Sequence, residues 1–195
     1  HSSEIVKDIG YVPGEIAFPD LPTGIDFLKT QAEFYHLDNM DYANELIERL
    51  QLDPRANLKR MSKGMKQKTA LVAALMNDSP IIILDEPTTG LDPVMQETFI
   101  EFIHQEKERG KTILLSSHIF SEIDSTCDRI AIIKDGHIVS EFVANNLKHV
   151  PFVGLIKPKI FLIVVVFPLP FVPTKPTISP FSIFKLISKT PRLSP

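Results

Sequence analysis

Apolar residues along the chain fall into blocks with two different spacings. Short apolar runs rich in β-branched residues predict strands, whereas apolar residues three or four positions apart predict helices. The runs predict six strands, at residues 8–13, 81–84, 112–116, 130–133, 138–142 and 160–167. The helical spacing predicts five helices, at residues 25–37, 41–53, 63–76, 93–109 and 119–125. Because strands and helices alternate through most of the chain, the pattern predicts an α/β fold built on a parallel sheet with helices on its faces.

Capping and turn residues define the predicted boundaries. Asp41, Ser62 and Asp92 each precede a helical pattern, and Pro93 suits the first position of a helix. In the helix at 25–37, we expect Phe34 to lie on the apolar face. Asp135-Gly136 stands between two apolar runs and predicts a two-residue hairpin turn, and therefore an antiparallel pair at the edge of the sheet.

The buried-strand interpretation is strongest for residues 81–84, a run of four apolar residues that we expect to be buried on both faces. It ends at Asp85 and Glu86, and Pro87 then removes a backbone donor. Acidic residues at the carboxyl end of a buried strand lie where open α/β sheets bind their ligands. One carboxylate can hold a hard cation such as Mg²⁺, and its neighbour can orient or deprotonate a water. The alternative is a strand that ends in a solvated acidic turn.

Two other segments should lie near the same edge of the sheet. His118 follows the strand at 112–116 and could bond a phosphate oxygen or an attacking water, although it could also be an ordinary loop histidine. Residues 62–65 (SKGM) open a helix, whose free amides and positive dipole end attract anions, and Gly64 lets an anion approach the backbone. The plain alternative for SKGM is an N-cap without a ligand.

Charge divides the chain into two parts. The 195 residues carry a net charge of −3, which gives no reason to expect nucleic acid as a partner. Residues 1–147 sum to −10, whereas residues 148–195 contain no acid, sum to +7 and hold nine of the 16 prolines. We therefore predict a domain at 1–147 and a Pro-rich tail at 148–195 that is non-native or disordered. The single cysteine, Cys127, excludes an internal disulfide.

These motifs resemble those of one family. LDEPTTGLDP at 84–93 is similar to a Walker B strand with its D-loop, and SSH at 116–118 to an H-loop. MSKGMKQK at 61–68 is similar to the signature motif, in a variant seen in ABC-2 exporters, and GYVP at 10–13 to the run before a Q-loop. Residues 5–147 thus resemble the nucleotide-binding domain of ABC transporters. The resemblance implies a P-loop NTPase-like sheet, a small helical subdomain at about 25–76 and a C-terminal hairpin.

The same resemblance implies roles for individual residues. Asp85 would hold Mg²⁺ through water, Glu86 would be the general base, and His118 would contact the γ-phosphate of ATP. Asp92 would lie at a dimer interface, while the signature residues would close over ATP held by the opposite subunit. The residues assigned to ATP binding in this way are Ser62, Lys63, Gly64, Met65 and Asp92.

The resemblance also implies partners and a location. We expect a transport ATPase with two copies of the domain, a transmembrane permease subunit and a peripheral position on the cytoplasmic face of the plasma membrane, in a bacterium. The alternatives are a soluble ABC-type regulator and an inactive fragment.

Two departures from the family pattern change these expectations. Gly14 stands where the Q-loop glutamine is expected, followed by Glu15. No GxxxxGK[ST] phosphate loop occurs in the 195 residues, and we expect it, with the first strands of the fold, before residue 1. A chain without that loop should bind ATP poorly.

Overall fold

A computed structural model describes residues 7–134, 137–143 and 161–166. The strands are β1 (Ile9–Val12), β2 (Ile81–Asp85), β3 (Thr112–Ser117), β4 (Arg129–Lys134), β5 (His137–Val143) and β6 (Phe161–Val166). The helices are α1 (Gly24–Tyr35), α2 (Asp41–Arg49), α3 (Lys63–Leu75), α4 (Pro93–Glu108) and α5 (Phe120–Thr126), with a short 3₁₀ turn at Leu58–Arg60. Within these ranges, no helix is long and apolar enough to cross a membrane.

The strands form one sheet in the order β1-β2-β3-β6-β4-β5. The strands β1, β2 and β3 are parallel, with Val12 opposite Leu84 and Leu84 opposite Leu115. The predicted parallel sheet with helices is therefore confirmed. The hairpin is confirmed as well, because β4 and β5 pair antiparallel as far as Lys134 and His137. The predicted turn residues, 135–136, lie outside the described residues.

A strand from the acid-free region lies inside this sheet. Strand β6 pairs antiparallel with β3 on one side and with β4 on the other. The strand predicted at 160–167 is thereby confirmed. The remainder of the proposed tail lies outside the described residues, so the division of the chain at residue 148 stays a prediction.

The buried core lies on one side of β2. Ile82 and Leu84 are almost fully buried, together with Ile113 and Leu115 of β3. Ile81, on the opposite face of β2, is 39% exposed. The prediction that this strand is buried on both faces is therefore wrong at Ile81, because a run of similar apolar residues does not reveal which face the helices cover.

The three helices predicted for the helical subdomain are present, with different boundaries. Residue Met40 occupies the N-cap position of α2, and the Asn39 side chain accepts a hydrogen bond from the Asp41 amide at 3.0 Å. Asp41 is therefore the first helical residue, and its prediction as the cap is wrong. The helix also ends at Arg49, before Gln51 turns into the left-handed region (φ 49°).

The apolar face of α1 is narrower than its spacing predicts. Leu28 is fully buried, but Phe34 is 51% exposed and packs edge-on against Tyr35. The expectation for Phe34 is wrong because the neighbouring elements cover only part of the stripe that the helical period defines.

A buried ion cluster ties the helical subdomain to the sheet. Glu106 of α4 forms ion pairs with Arg109 and Lys111, and Asp78 pairs with the same two cations. Tyr42 of α2 donates a hydrogen bond to Glu106 Oε1 at 3.2 Å. Glu106 and Lys111 are only 2% and 6% exposed, so each charge depends on the other for compensation.

Removing one charge of this cluster should destabilise the whole domain. We expect Glu106→Gln to lower the free energy of unfolding by about 3 kcal/mol, because it leaves the Lys111 ammonium buried with one partner fewer. Urea unfolding of the 195-residue chain measures this. The matched control is Glu101→Gln, an exposed position on the same helix, with an expected change within about 0.5 kcal/mol. Equal small losses in both variants would contradict the assignment.

Candidate functional site

The two acids at the end of β2 are held by one serine of β3. Asp85 is paired in register with Ser116. The Ser116 hydroxyl donates to Asp85 Oδ1, and the Glu86 amide donates to the Ser116 carbonyl at 3.0 Å and to its hydroxyl oxygen at 3.1 Å. The Glu86 backbone has φ 50°, which is uncommon for a residue other than glycine. Glu86 therefore follows Asp85 with a strained backbone, and strain of this kind occurs often at functional sites.

Glu86 also contacts the histidine at the end of the neighbouring strand. His118 Nδ1 lies 2.6 Å from Glu86 Oε2. The His118 side chain is 68% exposed and that of Glu86 is 22% exposed, so both are open to solvent. The structure thus brings together Asp85, Glu86 and His118, three polar groups that can bind and orient water or phosphate oxygens.

Gly14 lies directly against the first of these acids. A Cβ atom at this position would be 2.8 Å from Asp85 Oδ2. A glutamine at residue 14 would therefore have to displace the carboxylate that Ser116 holds. The glycine is compatible with this placement of Asp85, and the sequence could not show this because the two residues are 71 positions apart.

Asp85 meets the basic requirement for Mg²⁺. It presents two carboxylate oxygens, one bonded to Ser116 and the other beside Gly14. In the part of the chain that the structure describes, no three His, Cys, Asp or Glu side chains form a group that could hold a metal ion. Mg²⁺ is commonly held by one or two carboxylates while water and substrate phosphates supply the other ligands, so Asp85 alone fits that mode.

The predicted anion-binding segment begins α3 as expected. Ser62 is the N-cap, and its hydroxyl accepts from the Met65 amide at 3.2 Å. A Cβ atom on Gly64 would lie 2.6 Å from the Gly90 carbonyl oxygen, and the Lys63 side chain packs beside Gly90. The start of α3 therefore touches the loop at 87–91. No described hydrogen bond or ion pair joins residues 62–65 to Asp85, Glu86 or His118.

Asp92 has a local structural role. It is the N-cap of α4, and its Oδ1 accepts from the Met95 amide at 3.0 Å, with Pro93 at the first helical position. Asp92 is exposed and takes no part in the hydrogen bonds of the Glu86–His118 pair. Its predicted place at a dimer interface stays a prediction.

Sequence reasoning missed a buried polar group behind this edge. Glu122 of α5 is 3% exposed, and its Oε2 accepts from the hydroxyls of Ser117 and Thr88. Burial raises the pKa of Glu122, while the two hydroxyl hydrogen bonds oppose that rise. The two adjacent serines before His118 were the signal available in the sequence. Hydroxyl groups at the end of a buried strand need hydrogen-bond partners, so a buried acceptor could have been expected nearby.

Comparisons with known proteins identify the family of this chain. Residues 21–124, more than half of the chain, match the family described as "AAA domain, putative AbiEii toxin, Type IV TA system". An uncharacterized ABC transporter ATP-binding protein of Synechocystis is 33% identical over 138 residues, which are 67% of this chain and 39% of that protein. The chain belongs to the ABC-type ATPase domains.

Two further relatives extend the comparison. The Nod factor export ATP-binding protein I of Rhizobium meliloti is 43% identical over 93 residues, which are 48% of this chain and 28% of that protein. A solved dimeric ATP-binding cassette in a post-hydrolysis state, bound to ADP and Pi, has a TM-score of 0.65 at 25% identity, over 74% of this chain and 68% of that one. This ABC-type chain spans less than half the length of the curated relatives it matches.

The contact between α3 and the loop at 87–91 gives a stability test. Ala is favoured over Gly inside a helix by about 1 kcal/mol. In Gly64→Ala, the clash with the Gly90 carbonyl should outweigh that gain, and the free energy of unfolding should fall by about 1–2 kcal/mol. Urea unfolding measures the change. Lys68→Ala on the same helix is the control, and a Gly64→Ala variant that is more stable than the original chain would show that the contact is loose.

Proposed function

We propose that the complete protein containing this chain hydrolyses ATP and uses the energy to drive transport through a membrane partner. The observation that supports this most directly is the Glu86–His118 contact of 2.6 Å, beside Asp85 at the carboxyl edge of the sheet. Phosphoryl transfer requires mainly positioning and charge neutralisation. Glu86 and His118 are suited to the first, and Asp85 would contribute to the second by holding Mg²⁺. Membership in the ABC-type ATPase domains supports the same activity.

Each of the three residues has a distinct role in this proposal. Glu86 orients the attacking water and accepts its proton, and His118 holds Glu86 in place and bonds the γ-phosphate. Asp85 would hold Mg²⁺ through water, and the bound ion would supply charge neutralisation at the phosphate oxygens. Ser116 supports both acids, because its hydroxyl group bonds Asp85 and accepts from the Glu86 amide.

Dimerisation completes the proposed site. The start of α3, with Ser62, Lys63, Gly64 and Met65, would cover the γ-phosphate of ATP held by a second copy, and Asp92 would lie at the interface. The free amides of a helix N-terminus favour such an anion. The dimeric state of the related cassette bound to ADP and Pi supports this arrangement.

Export through a permease subunit is the proposed transport process. The supporting observations are the SKGMKQ variant of the signature and the likeness to a Nod factor export ATP-binding protein. In this proposal, the protein is peripheral on the cytoplasmic face of the membrane.

Replacing the proposed base tests the hydrolytic role. In the complete protein, we expect Glu86→Gln to lower kcat by about 10²–10⁴-fold, because an amide cannot accept the proton of the attacking water. The ATP-bound dimer should persist longer. Phosphate release and size-exclusion chromatography with ATP measure the two effects. Glu97→Gln, at an exposed position of α4, should behave as the unmodified protein, and unchanged hydrolysis in Glu86→Gln would remove Glu86 from the base role.

The 195-residue chain by itself should bind Mg-ATP weakly. Without a GxxxxGK[ST] loop, it lacks the backbone amides and the lysine that hold the β- and γ-phosphates. Isothermal titration should therefore detect no binding at micromolar concentrations. Micromolar affinity would show that other residues bind the phosphates.

A further inference from the structure

Glu122 makes two side-chain hydrogen bonds, one to the strand end that carries His118 and one to the loop that follows Glu86. Its Oε2 accepts from Ser117 Oγ at 2.6 Å and from Thr88 Oγ1 at 3.1 Å. All three residues are at most 3% exposed. One oxygen atom therefore connects the end of β3 to the loop that follows β2. This buried contact is close in sequence to the more exposed Glu86–His118 pair.

Each hydroxyl belongs to a residue one or two positions from Glu86 or His118. Ser117 immediately precedes His118, and its Oγ also accepts from the Ile119 amide at 3.1 Å, so it fixes the backbone on both sides of the histidine. Thr88 lies two residues after Glu86. It lies within the turn that Glu86 begins, which the Thr89 amide closes by donating to the Glu86 carbonyl at 3.1 Å.

The acceptor itself is on a rigid support. The Glu122 carbonyl accepts from Thr126 Oγ1 at 2.7 Å, and Ile123, the next residue of α5, is fully buried in the core. The second carboxylate oxygen, Oε1, is buried without a hydrogen-bond partner among the described residues. Such burial costs stability, so packing alone gives no reason for a carboxylate at this position.

We propose that Glu122 is a positioning residue, whose two hydroxyl contacts set the distance between Glu86 and His118. This inference rests on the proposed hydrolytic function. Glu122 touches neither ATP nor water in this proposal. It acts through Thr88 and Ser117, and its effect should appear in the chemical step more than in ATP affinity.

Two substitutions of similar size separate the acceptor role from simple packing. Glu122→Leu removes both hydrogen bonds but keeps the volume. Glu122→Gln keeps an amide oxygen that can accept from both hydroxyls. Asp124→Asn, at an exposed position of the same helix, is the control for charge on α5.

In the complete protein, we expect Glu122→Leu to lower kcat by about 10–100-fold with little change in KM for ATP, because displacement of the base by about 1 Å has effects of that size. Glu122→Gln should restore most of the activity, and Asp124→Asn should match the unmodified protein. If Glu122→Leu retains kcat, or if Glu122→Gln loses as much as Glu122→Leu, the proposal is wrong.

Thr88→Val tests the same contact from the other side. It removes one donor without changing the size of the side chain, so it serves if Glu122→Leu does not fold. We expect kcat to fall with KM unchanged, because Thr88 no longer donates to Glu122 Oε2. An unchanged kcat in Thr88→Val would overturn the proposal.

A structural measurement separates this inference from the proposed function. In a crystal structure of Glu122→Leu, or of Thr88→Val, His118 Nδ1 and Glu86 Oε2 should lie beyond hydrogen-bond distance, whereas in Glu122→Gln they should stay close to 2.6 Å. If the unmodified complete protein hydrolyses no ATP, the proposed function fails, and this distance still decides whether Glu122 positions the pair. An unchanged distance in Glu122→Leu would contradict the positioning role.

Discussion

The pairing of β2 with β3 is the constraint on which the candidate site depends. It places Asp85 opposite Ser116, so one hydroxyl and one carbonyl can bond both acids. A slip of one residue would turn Ser116 to the other face of the sheet and separate His118 from Glu86. The chemistry at the edge of the sheet is therefore a consequence of backbone register, which the buried residues Leu84 and Leu115 enforce.

Two buried carboxylates act near opposite ends of β3. Near its start, Glu106 pairs with Lys111 and also bonds Tyr42 of the helical subdomain. At its end, Glu122 accepts from Ser117. The first has cations around it, so its main effect is on stability. The second has neutral hydroxyl donors and an oxygen without a partner among the described residues, and its main effect is on geometry.

Local signals in the sequence predicted much of the fold. The caps Ser62 and Asp92, the hairpin and the strand ending in Asp85-Glu86 all depend on residues within a few positions of one another. The predictions were wrong where the packing of neighbouring elements decides which residue caps a helix or which side chain is buried. Met40 precedes α2 although Asp41 has the better capping side chain, and Phe34 is exposed although its spacing matches the apolar stripe. Short-range propensity cannot show which surface is covered.

The sequence by itself determined the order of strands and helices and the ABC-type motifs, because these depend on residue type and short spacing. It also indicated that Asp85, Glu86 and His118 meet, since parallel strands end at the same edge. Only the tertiary structure decided that Gly14 lies against Asp85, that Gly64 contacts Gly90, and that Glu122 lies behind His118. These contacts join residues 26 or more positions apart, or a helix to the strand before it, and their distances depend on how the elements pack.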